Sequence, residues 1–143
     1  MTQADYGAAV FVRNLDEALA FYKKKLGFEV KERCDKPKVS WVKLILPNDG
    51  NSRDENWIAL VAFEEPKQFA RRIGGHTGLV LTTEDLQSTC KSLKDRDVPF
   101  DWEPESKPWG FPDAQIMDQD KNKILLVQRN NELEVLRSHR PTD

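Results

Sequence analysis

Residues 10–28 read VFVRNLDEALAFYKKKLGF, and this run decides how the rest of the chain folds. Residues 8–12 are apolar and form a strand, with Val10 and Val12 on one face and Ala9 and Phe11 on the other. Asn14 is suited to cap a helix, and Glu17 three residues on completes a capping-box spacing. Leu15, Ala18, Leu19, Tyr22 and Leu26 recur at helical spacing, so they predict the buried stripe of a helix reaching Leu26. The acids Asp16 and Glu17 come early and Lys23, Lys24 and Lys25 come late, which suits the helix dipole. Gly27 is placed to stop the helix and Phe28 to open the next strand.

Working outward, further strands are expected at 28–34, 40–46 and 57–63. A long polar loop, 47–56, separates the last two. The charged stretch 64–75 ends in two glycines and reads as a linker. The pattern then recurs more weakly. A strand at 76–81 leads to a helix capped by Thr82 or Thr83, with Leu86, Cys90, Leu93 and Val98 facing inward. Strands follow at 99–103, 113–117 and 123–128, with a hairpin turn at 118–122. Residues 8–12 match 77–81, and Leu15, Leu19 and Tyr22 match Leu86, Cys90 and Leu93. The order is βαβββ twice. The expected fold is α+β, with two tandem βαβββ modules, 7–64 and 75–128, in one domain spanning 1–143 and a polar tail at 129–143. One helix covers only one face of a four-stranded sheet. Two modules side by side therefore curl into an eight-stranded mixed sheet, a cup with helices outside and a concave face open to a ligand.

Composition narrows the function. The 143 residues are 38% hydrophobic and 32% charged, with a formal net charge of -2. That balance excludes a strongly basic nucleic-acid footprint. No run has the apolar length of a membrane span. The opening MTQADYGAA lacks a signal-peptide pattern, so a cytoplasmic location is expected. Cys34 and Cys90 form no CxxC pair, and neither a disulfide nor a zinc site is expected. Cys90 falls on a helical stripe and reads as a small buried hydrophobe.

The opening run resembles the first signature of the vicinal oxygen chelate superfamily, which holds glyoxalase I, extradiol dioxygenases and the fosfomycin- and bleomycin-resistance proteins. GGHTGLVLTTEDL at 74–86 resembles the opening of its second half. PWGFPDAQIMDQDKNKILLVQ at 108–128 resembles its closing hairpin. The resemblance spans about residues 7–128. It implies that metalloenzymes of this kind place ligands at the positions of Gly7, Ala59, His76 and Leu125. Only His76 has a side chain able to ligate, and a catalytic metal needs about three protein ligands. The chain is therefore expected to be metal-free, like the bleomycin-resistance branch, and that branch implies a homodimer.

Two functions from different classes follow. The first is a binding protein whose cavity holds a small aromatic or hydrophobic molecule, with antibiotics among the candidates. Trp57, Val61 and Phe63 share one face of their strand, and the family register turns that face inward. His76 is expected to face the cavity. Trp102, Trp109 and Phe111 are expected at its wall or rim. The blander reading of these aromatics is ordinary core. Asp101, Glu103 and Glu105 surround Trp102 and offer an acidic patch for a cationic drug, although a solvated loop explains them as well. The alternative is a metal-dependent lyase, isomerase or dioxygenase using His76 as its one catalytic candidate, with a divalent metal held by other groups. No nucleic-acid or membrane partner is expected.

Overall fold

The structure is a computed structural model that describes residues 6–47, 56–65, 67, 71–105 and 112–128. β1 (Tyr6–Phe11) leads into α1 (Leu15–Leu19), and β2 (Glu29–Asp35), β3 (Val39–Ile45) and β4 (Asn56–Phe63) complete the first module. The second repeats the order with β5 (His76–Thr83), α2 (Leu86–Asp95), β6 (Phe100–Glu105), β7 (Asp113–Met117) and β8 (Lys123–Gln128). Each module makes one four-stranded sheet, ordered β1-β4-β3-β2 and β5-β8-β7-β6. In both, the first and last strands pair in parallel and the remaining pairs are antiparallel. The eight strands thus form two hydrogen-bonded sheets, and β1 lies against β5 at the seam.

Asn14 caps α1 as its spacing demanded, its Oδ1 accepting from the Glu17 amide at 2.9 Å. The helix then departs from expectation. Ala20–Lys25 is π-helical, and Leu26 N donates to Phe21 O at 3.1 Å, five residues back. The widened turn lets the adjacent residues Phe21 and Tyr22 both bury, while Leu19 and Leu26 are only half-buried. A uniform 3.6-residue stripe had placed Leu26 inside and left Phe21 out. Gly27 ends the helix at a φ of 88°, a conformation that a side chain disfavours, and Phe28 N closes the turn on Tyr22 O at 3.0 Å. The second cap also differs. β5 runs on to Thr83, and Asp85 caps α2 by accepting from Ser88 N at 3.1 Å. Thr83 instead bonds Thr89 through its hydroxyl at 2.7 Å.

Alternation sorts each strand into two faces. Val10, Val42, Leu44, Ile58 and Leu60 from the first sheet join Ala114, Ile116, Ile124 and Leu126 from the second, under α1 and α2, in one hydrophobic cluster. Each fully buried aliphatic side chain in it is worth about 1.5–3 kcal/mol. A polar joint crosses the modules beside that core. The Tyr22 hydroxyl donates to Asp118 Oδ2 at 2.7 Å, and Asp118 Oδ1 accepts from the Asp120 and Asn122 amides at 2.8 and 2.9 Å. Asn122 Nδ2 donates to Phe11 O at 3.0 Å and Asn122 Oδ1 accepts from Gly74 N at 2.8 Å. The residues read as a plain hairpin turn are thus the clasp that ties β1, the first helix and the linker together.

Candidate functional site

The sheet faces turned away from the helices carry the candidate residues. On the first sheet, register places Gly7 beside Trp57, Ala9 beside Ala59 and Phe11 beside Val61. β3 adds Lys43 beside Ala59 and Trp41 beside Val61. This floor is aromatic and small-residue. Its side chains are half-buried or exposed. Phe63, two residues beyond Val61, stacks on Phe11 with ring centroids 5.9 Å apart and planes at 16°.

Gly7 and Trp57 fit together closely. A Cβ built on Gly7 would fall within the Trp57 indole, so the ring lies flat over the glycine. Lys43 Nζ stands 5.3 Å from the centroid of that indole, within cation–π reach. Trp57 borders a cleft of about 460 Å³ that also meets Gly7, Leu46, Gly78, Val80 and Thr82. Val80 is 50% exposed, high for a valine in a strand.

The corresponding face of the second sheet is polar. Gln115 is buried and donates to Asp101 Oδ2 at 2.8 Å, and Lys123 Nζ lies 3.8 Å from the same carboxylate. Trp102 Nε1 donates to Asp113 Oδ1 at 3.1 Å. Lys94 pairs with Glu103. The acids around Trp102 that sequence offered to a cationic ligand are therefore largely engaged within the protein: Asp101 and Glu103 have partners, and Glu105 is exposed at the strand end.

His76 opens β5, exposed, opposite Lys123. It borders a separate cavity of about 370 Å³ with Ala9, Phe11, Arg71, Arg72 and Thr77. Phe63 contributes to a third, of about 300 Å³, among charged residues of both signs, including Arg33 and Asp35 of β2, Lys36 and Lys38 of the following turn, and Glu64. Along the seam, Gly7 and Ala8 border one cavity with Gly78–Thr82, and Ala9–Phe11 border the other with Gly75–Thr77. Trp57 and His76 mark opposite ends of that seam. Val61 lies between Phe11 and Trp41 on the floor. Trp109 and Phe111 fall outside the described residues.

The donor set does not fit a catalytic metal. At the four carried-over positions, Gly7 lies beneath an indole, Ala59 and Leu125 have no donor atom, and His76 borders a different cavity from Gly7. Among the described residues, no three His, Cys, Asp or Glu side chains gather closely enough to hold an ion. Of the cysteines, Cys90 is buried, which pushes its thiol up from its ordinary value, and Cys34 is half-buried. Sequence reasoning missed Lys43, Arg71 and Arg72. Strand alternation puts Lys43 on the same face of its strand as Trp41, but the linker arginines had no periodic signal.

Two βαβββ modules joined along their first strands, with an open face opposite the helices, define a paired-module α+β protein. The chain belongs to the Glyoxalase/Bleomycin resistance protein/Dioxygenase superfamily, whose model matches residues 7–126. It is 32% identical over 125 residues to the protein YurT of Bacillus subtilis (strain 168), covering 85% of this chain and 95% of that one. Among solved structures it is similar to a superfamily member from Sphaerobacter thermophilus DSM 20745, with 29% identity, a TM-score of 0.73 and coverage of 89% and 98% of the two chains. It is also similar to TnmS3 from Streptomyces sp. CB03234, an antibiotic binding protein, with 25% identity, a TM-score of 0.70 and coverage of 89% and 96%. No described helix is long and apolar enough to cross a membrane.

Proposed function

We propose that the protein binds a small planar aromatic molecule on the open face of its first sheet, without a metal, with antibiotics among the candidate ligands. The observation that carries this reading is the Trp57 indole lying over Gly7. Where a superfamily metalloenzyme would need a ligating side chain, this chain presents an aromatic surface. Phe11, Trp41, Val61 and Phe63 extend that surface on the same side of the sheet. Offset stacking of a flat ligand on such rings adds about 0.5–1.5 kcal/mol per pair beyond area burial. His76, Trp102, Trp109 and Phe111 complete the proposed ligand-contacting set. The similarity to an antibiotic binding protein supports the ligand class. A homodimer in the cytoplasm is part of the same reading.

Tryptophan fluorescence tests it. Titration with planar polycyclic aromatics, an anthraquinone among them, is expected to give saturable quenching. Trp57→Ala is expected to weaken binding at least about tenfold, equivalent to about 1.4 kcal/mol. Saturable binding that is indifferent to Trp57 would remove the floor from the argument, and no saturable quenching by any compound would overturn the reading.

A further inference from the structure

Among the described residues, the charges lining the two cavities along the seam are of one sign. The cavity at the His76 end of the seam is walled by Arg71 and Arg72, and none of its described lining residues is Asp or Glu. The Arg72 guanidinium lies over the Phe11 ring at 5.3 Å, and Phe11 in turn stacks on Phe63. A guanidinium beside an aromatic ring presents N–H donors in the fork that matches an oxyanion. Neither Arg71 nor Arg72 has a carboxylate within ion-pair distance among the described residues. At the other end of the floor, Lys43 stands over Trp57. The acids of the second sheet contrast with these cations, because Asp101 and Glu103 are bound to Gln115, Lys123 and Lys94. The described charge lining the cavity at the His76 end of the seam is therefore positive, although the chain as a whole carries -2.

We infer that the Arg71–Arg72–His76 cavity is an anion subsite, and that the ligand is an aromatic acid: a flat ring system bearing a carboxylate, sulfonate or phosphate. This rests on the aromatic-binding reading for the ring and adds the charged group. The ring lies on the floor near Phe11, and its acidic group enters the cavity of about 370 Å³ to meet the two guanidinium groups. This reverses the sign of ligand charge that the acids around Trp102 suggested. Affinity through such exposed cations is screened by salt.

A matched pair of probes separates the two parts of the claim. 2-Naphthoate and 2-naphthamide share a ring system and differ in charge. Each is titrated against the full chain by tryptophan quenching, and inorganic phosphate is titrated by NMR of the arginine Nε–H and histidine ring signals. The expected result is that naphthoate binds at least about tenfold more tightly than naphthamide. Arg71→Gln/Arg72→Gln, changes at two exposed positions, should erase that preference. The preference should shrink as sodium chloride rises. Equal affinity for both probes would overturn the anion subsite while leaving the aromatic floor intact. If neither naphthalene binds but phosphate shifts the arginine signals, the aromatic reading fails and the anion subsite stands. No response to either naphthoate or phosphate would overturn the inference.

Discussion

At the scale of single residues, the decisive pair is Gly7 and Trp57. Any side chain at position 7 meets the indole, so the two positions are chosen together. Gly7→His is expected to displace the ring, lower stability by about 1–3 kcal/mol through overpacking, and weaken aromatic binding. It should not bring in stoichiometric zinc by elemental analysis, because His76 borders another cavity and no three donors gather among the described residues. Tyr22 makes a second residue-scale prediction. Its hydroxyl is pushed up strongly, first by burial, then by the charge and hydrogen bond of Asp118, and then by Asp120. In the unfolded chain it returns to about 10. A folded value above the unfolded one means that this stabilisation is fully present below about pH 10 and is lost as pH rises beyond it. Urea melts should therefore show stability falling steeply above that pH. Tyr22→Phe should cost about 1.5–3 kcal/mol at pH 8, as loss of a hydrogen bond to a charged group, and should flatten the alkaline decline. An unchanged alkaline slope would show that Tyr22 does not carry it. Thiol chemistry is the third case: in the native protein an aromatic disulfide reagent should label half-buried Cys34 well before buried Cys90.

At the scale of elements, what could be read in advance followed from local rules. The Asn14 cap, the Gly27 stop and the strands at 113–117 and 123–128 needed only side-chain chemistry and alternation, and the structure keeps them. The departures have tertiary causes. Tyr22 must reach Asp118 in the other module, and the helix widens to a π-turn that buries Phe21 beside it. No periodicity within the helix reports a partner 96 residues away. α2 is capped by Asp85 rather than by Thr83, whose hydroxyl, before the helix, is bonded to Thr89 and accepts from the Asp85 amide. The turn from Asp118 to Asn122 looked complete in itself, yet it carries the joint between modules. Asn122→Ala removes the side-chain donor to Phe11 O, the acceptor of Gly74 N and a donor to Asp118. It should lower stability by about 1–3 kcal/mol or more. An exposed-loop substitution would change it by less than about 0.5 kcal/mol, so a denaturant midpoint near wild type would mean that the clasp is not structural.

At the scale of the molecule, the repeat made the architecture legible and left the ligand's character hidden. Two copies of βαβββ, matched residue by residue from 8–12 and 77–81 outward, determine two sheets, their helices and an open face. The charge of that face is different, because it depends on which acids are already paired and on where linker arginines fold back. Asp101 and Arg72 look alike as exposed charges in sequence. Only in three dimensions does one lie against Gln115 and Lys123 while the other rests on Phe11. In the site that results, Lys43 and Arg72 stand over the aromatic rings, and among the described residues no three metal donors gather. Its most direct test is a titration of 2-naphthoate against the purified protein, followed by tryptophan fluorescence in parallel with excess EDTA and with added divalent metal. The account predicts saturable quenching with the same dissociation constant in both. Binding that vanishes with EDTA and returns with metal would contradict it, as would the absence of saturable binding in either.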